Sequence, residues 1–96
     1  MSIDTFSKIK RLNRLILEHN QINSLKNIIN GLSNNSFIFL KYLDLSYNRI
    51  KEISNTFGTN FRLLETLDLN SNEIEFMSDN AFENLFELKF LHLGGN

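Results

Sequence analysis

Asp44, Asp68 and His92 stand 24 residues apart in turn, each between two leucines: Leu43-Asp44-Leu45, Leu67-Asp68-Leu69 and Leu91-His92-Leu93. Two carboxylates and an imidazole brought side by side are the donors of a divalent-metal site or of an acid–base pair. The leucines argue for an extended chain, because strand side chains alternate between faces and only a strand turns both leucines of Leu-x-Leu the same way. The leucines then face inward, and Asp44, Asp68 and His92 form an outward row. A row on one flat face lacks the converging direction and the closed pocket that catalysis needs. The expectation is therefore no enzyme, no metal and no cofactor. The row is read as a locally negative strip that Arg14, Lys41 and Lys89 partly offset. His19, beside Glu18, reads as a solvated turn histidine. The closing Leu-His-Leu-Gly-Gly-Asn is not a phosphate loop, because no helix comes after it to supply a dipole.

Composition narrows the field further. The chain of 96 residues has room for one domain, and its formal charge of -1 gives no basic footprint for nucleic acid. It holds no cysteine, which removes a disulfide framework, a thiolate metal site and a cysteine nucleophile. No apolar run is long enough to insert in a membrane, and the first residues lack the apolar core of a signal peptide. The compartment of this chain stays open at this point.

The leucine pairs belong to a longer frame, Leu-x-x-Leu-x-Leu-x-x-Asn-x-Ile. It occurs as LNRLILEHNQI (12–22), LKYLDLSYNRI (40–50) and LETLDLNSNEI (64–74), and again as LKFLHLGGN (88–96). Internal repetition at such a period signals a solenoid. The asparagines Asn20, Asn48, Asn72 and Asn96 are separated by 28, 24 and 24 residues. We divide the chain into the back half of a preceding repeat (1–11), full repeats at 12–39, 40–63 and 64–87, and a truncated repeat at 88–96. Leu25, Ile28, Ile29 and Leu32 have helical spacing, so the longer first repeat is expected to hold a short helix after Ser24 and before Asn30-Gly31. Phe6, Phe57 or Phe61, and Phe82 recur on the return path and read as a core spine. Gly58 and Ala81 mark places where the returning backbone runs close to its neighbour.

Stacked in parallel, the short strands make a sheet along one side of a coil, and the remainder of each repeat returns along a wider back. The sheet then lies on the concave face. The asparagine has a physical use at the sharp turn after each strand, where a carboxamide offers both donors and an acceptor to stranded backbone groups. Asn20, Asn48, Asn72 and Asn96 are expected to form a ladder between turns.

These residues resemble the leucine-rich-repeat family, and the resemblance covers nearly the whole chain. LDLSYNRI (43–50) and LDLNSNEI (67–74) are close to its commonest wording. The 24-residue period with phenylalanine on the back, as in NEIEFMSDNAFENLFEL (72–88), is similar to the "typical" subclass, common in animal extracellular proteins and Toll-like receptor ectodomains. The resemblance implies an α/β repeat solenoid, a horseshoe with short parallel strands inside and loops, a short helix or 3-10 turns outside. It implies protein–protein recognition, as a fragment of a larger receptor or extracellular binding protein, the parent being extracellular or at the cell surface. Alternatives are an intracellular scaffold or adaptor, or an accessory segment of a larger enzyme.

The positions that do not repeat in type form four columns over the sheet. They are Arg14, Tyr42, Thr66 and Phe90; then Ile16, Asp44, Asp68 and His92. The next are Glu18, Ser46, Asn70 and Gly94, and the last His19, Tyr47, Ser71 and Gly95. All but the two glycines are expected partner-binding residues, with Tyr42, Tyr47 and Phe90 as anchors because exposed aromatics bury large area at low entropy cost. The partner is expected to be another protein, not nucleic acid or membrane. The uncapped ends lead us to expect end-to-end self-association of the chain.

Overall fold

The computed structural model describes residues 13–24, 39–54 and 57–96. Four three-residue strands, β1 (Arg14–Ile16), β2 (Tyr42–Asp44), β4 (Thr66–Asp68) and β6 (Phe90–His92), form one parallel sheet in the order β1-β2-β4-β6. Two-residue strands β3 (Glu52–Ile53) and β5 (Phe76–Met77) pair in parallel as a second, smaller sheet on the return path. A 3-10 turn spans Phe57–Asn60. This is a leucine-rich-repeat fold of stacked short strands.

Register obeys the frame. Leu15, Leu43, Leu67 and Leu91 are successive partners across the sheet, as are Arg14, Tyr42, Thr66 and Phe90. Such a register is strongly specified, because a slip of one residue would turn every leucine to solvent. Leu43, Leu45, Leu67 and Leu69 are buried, together with Leu40, Leu64, Ile50 and Ile53. Each such side chain contributes about 1.5–3 kcal/mol by leaving water. Leu91 is 37% exposed, since β6 is the edge of the described sheet.

The back is aromatic. The Phe57 and Phe61 rings lie 5.0 Å apart, and Phe82 meets Phe57 edge-on at 6.4 Å. Edge and offset contacts of this kind suit the charge distribution of the rings. Gly58 lies against the next turn, where an added Cβ would stand 3.3 Å from Leu85 Cγ and 3.4 Å from Asn84 N. Phe6 and the helix expected over residues 25–32 lie outside the described residues.

Each turn is fastened to the next in three places. Ahead of the strands, Asn13 O accepts both Lys41 N and Tyr42 N, Lys41 O accepts Glu65 N and Thr66 N, and Glu65 O accepts Lys89 N and Phe90 N. Behind the strands, Leu17 N donates to Asp44 O, Leu45 N to Asp68 O and Leu69 N to His92 O, each at 2.8 Å. The third fastening is the asparagine series. Asn48 Nδ2 donates to Leu45 O and Ser46 O in its own turn and to Leu17 O in the turn before, while its Oδ1 accepts Ile22 N. Asn72 repeats this with Leu69 O, Asn70 O, Leu45 O and Ile50 N. Asn96 repeats it with Leu93 O, Gly94 O, Leu69 O and Ile74 N. Asn20 Nδ2 donates to Leu17 O and Glu18 O within its own turn.

Candidate recognition surface

The sheet presents its variable side chains in rows set by the register. In the first, the Arg14 guanidinium lies 4.0 Å over the Tyr42 ring. This contact between adjacent strands is a cation–π pair. Thr66 is half-buried and Phe90, at the sheet edge, is 58% exposed. Ile16 and His92 are exposed in the second row, and Asp68 is half-buried.

Two residues expected on the open face are not there. Asp44 and Ser46 are buried, at 8% and 3% exposure. Asp44 lies between Ile16 and Asp68 in the register. Its Oδ1 turns back to accept Ser46 N at 2.9 Å and the Ser46 hydroxyl at 2.6 Å. The carboxylate closes the turn after β2, so neither residue is open to a partner. Asp68 makes the same bond to Asn70 N, and Asn70 Oδ1 accepts Gly94 N from the next turn. Asp68 and Asn70 are thus tied into the frame while keeping part of their surface exposed. The lysines also differ from expectation. Lys41 and Lys89 flank Glu65 at 4.0 and 3.5 Å, and do not meet the aspartate row.

The last column holds a feature that the leucine pattern concealed. His19, Tyr47 and Ser71 have φ of 57°, and Gly95 has φ of 72°. Every described copy makes the same left-handed turn just before its asparagine, and Gly95 at this place was the one signal of it in the sequence. The N–H of this residue is spent on the next turn of the coil: His19 N donates to Ser46 O, Tyr47 N to Asn70 O and Ser71 N to Gly94 O. The side chains of this column therefore stand at fixed angles beside one another. The His19 and Tyr47 rings stack at 4.5 Å and 15°, and Tyr47 is 54% exposed. Glu18 and His19 are exposed as well.

This geometry repeats its interior while varying its surface, and the match to known families agrees with it. A leucine rich repeat family model matches residues 38–96, more than half of the chain. The chain belongs to the leucine-rich-repeat family. No curated protein matches it significantly. Leucine-rich-repeat domains generally mediate protein–protein interactions. Among the described residues no cluster of histidine, aspartate or glutamate is arranged to hold a metal ion.

Proposed function

We propose that this leucine-rich-repeat segment recognises another protein through the concave face of its sheet, and that it does so by binding without catalysing a reaction. The observation that carries this reading is the division of labour in the sheet. Leucines repeat with fixed register underneath, while Arg14, Tyr42, Ile16, Thr66, Asp68, Phe90 and His92 differ from strand to strand above. A rigid parallel sheet holds such side chains without the ordering cost that a loop surface incurs on binding. Tyr42 is the strongest anchor, its ring already stacked by Arg14.

We further propose that the parent protein is an extracellular or cell-surface receptor of the "typical" repeat subclass. The 24-residue period and the back-side phenylalanines support this.

A display screen tests both parts. The chain, multimerised to raise avidity, is offered to a library of extracellular domains and, in parallel, to one of intracellular domains. Hits are then retested with Tyr42→Ala and Phe90→Glu on the concave side and with Phe86→Ser on the return path, where Phe86 is exposed and outside the large sheet. The expected result is an extracellular partner whose binding falls at least about tenfold with either concave change, the loss typical of a hot-spot residue, and is unchanged by Phe86→Ser. Binding that responds only to the back-side change would refute the concave reading. A screen with partners found solely among intracellular proteins would refute the receptor reading.

A further inference from the structure

The parallel sheet carries a charge polarity along its strands. The two positions before the first inward leucine of each strand hold Arg14, Lys41 and Lys89, with Glu65 the single carboxylate. Between that leucine and the ladder asparagine no copy holds a lysine or arginine, and the carboxylates are Glu18, Asp44 and Asp68. An antiparallel sheet would mix these ends. Here β1, β2, β4 and β6 all run the same way, so Arg14, Lys41 and Lys89 gather at one margin and Glu18, Asp44 and Asp68 toward the other, with the exposed Arg49 just past the ladder asparagine. Glu65 already serves Lys41 and Lys89, and Arg14 lies on Tyr42.

The acidic margin also carries the His19–Tyr47 stack. The turn does not require these rings, because Ser71 and Gly95 make it equally well in the later copies. The positive φ is common to all four copies, so what sets the first two apart is the pair of rings and not the turn. An exposed ring at a margin whose charged side chains are carboxylates is the chemistry that takes a planar cation, and guanidinium suits it better than ammonium because it stacks on a ring while its N–H groups remain free to reach carboxylate oxygens.

We propose that the strand-end margin, built on His19 and Tyr47 with Glu18 and Asp68, seats an arginine side chain of the protein partner, whose acidic side faces Arg14, Lys41 and Lys89. Asp44, buried and bonded to Ser46, adds charge to the margin without touching the ligand. The inference rests on the concave-face reading and adds the polarity and the residue class of what binds there.

The test titrates the isotopically labelled chain with three capped peptides, Gly-Arg-Gly-Arg-Gly, its lysine analogue and its glutamate analogue, monitored by NMR. The arginine peptide is expected to shift the signals of Glu18, His19 and Tyr47 and to bind about two- to fivefold tighter than the lysine peptide, the factor an exposed ring contact supplies. The glutamate peptide is expected to shift Arg14, Lys41 and Lys89. Raising salt to about 0.5 M should weaken both effects, because exposed charges are then screened within a few ångströms. Tyr47→Asn suits the positive φ and should lose the arginine preference, while Tyr47→Phe keeps the ring and should retain it. Equal affinity for arginine and lysine, or a preference that survives Tyr47→Asn, overturns the proposal. Shifts confined to Thr66 and Phe90 overturn it too, yet leave the concave-face reading standing; shifts confined to the back would overturn both.

Discussion

Asn48 shows how much one side chain can fasten. Its three donated bonds and one accepted bond join two turns of the coil, and it is buried. Removing the carboxamide strands Ile22 N, while Leu17 O, Ser46 O and Leu45 O each lose one bond and keep Asn20 Nδ2, His19 N and Asn72 Nδ2; a buried polar group left unsatisfied costs about 1–3 kcal/mol. Asn96 makes an equivalent set of bonds, but it is exposed and water can replace it. We therefore expect Asn48→Ala and Asn72→Ala each to lower stability by about 1–3 kcal/mol, through Ile22 N and Ile50 N respectively, and Asn96→Ala by less than either. Thermal unfolding of the three variants measures the difference. Equal losses at positions 48 and 96 would mean that the bonds matter less than the local turn. Asn48→Asp is expected to fare no better than alanine, since a carboxylate cannot donate to the three carbonyls.

At the scale of the element, the strands of the large sheet were legible because each carries Leu-x-Leu, and two inward leucines two residues apart have one extended solution. The small back sheet was not. Glu52–Ile53 and Phe76–Met77 are too short to show a period, and they pair only because the preceding strands set the spacing between turns. Lys51 O accepts both Glu75 N and Phe76 N, and Ile53 O accepts Ser78 N, so backbone groups hold this sheet with little help from side chains. Asp44 and Asp68 hold the same place in the frame, and nothing in the leucine pattern distinguishes the buried one from the half-buried one. The difference arises two residues further along each copy. Ser46 gives Asp44 a hydroxyl to close upon, whereas Asn70 turns its own Oδ1 to Gly94 N. The left-handed column was equally hidden, because histidine, tyrosine and serine give no local sign of positive φ. Position in the stack also governs energetics. Leu67 is fully buried between β2 and β6, so Leu67→Ala should cost about 2–5 kcal/mol, as a truncation that leaves a cavity. Leu91, the same frame residue in β6, is partly open, and Leu91→Ala should cost about 1 kcal/mol or less. Denaturant melts of the two variants would contradict this ranking if Leu91→Ala proved as harmful as Leu67→Ala.

The whole molecule is a one-dimensional stack, in which each turn contacts its neighbours and stability passes along the chain through nearest-neighbour contacts. Such a stack is strongest inside and weakest at an open edge. In the described sheet β6 has β4 on one side, with Phe90 and Leu91 exposed on it. A strand edge with unpaired backbone groups and exposed apolar side chains is a template for another chain. We expect the 96-residue chain to associate reversibly in sedimentation, with the β6 edge as the contact. Amide exchange separates this from nonspecific clumping. As concentration rises, exchange of Leu91 and Leu93 should slow, while that of Leu43 and Leu45, already paired on both sides within β1-β2-β4, should stay constant. Leu91→Lys places a charge on the edge and should leave a monomer without unfolding the inner strands. A chain that sediments as one monomer at every concentration and also melts cooperatively at high temperature would show that the stack is self-sufficient and that its edge is no contact.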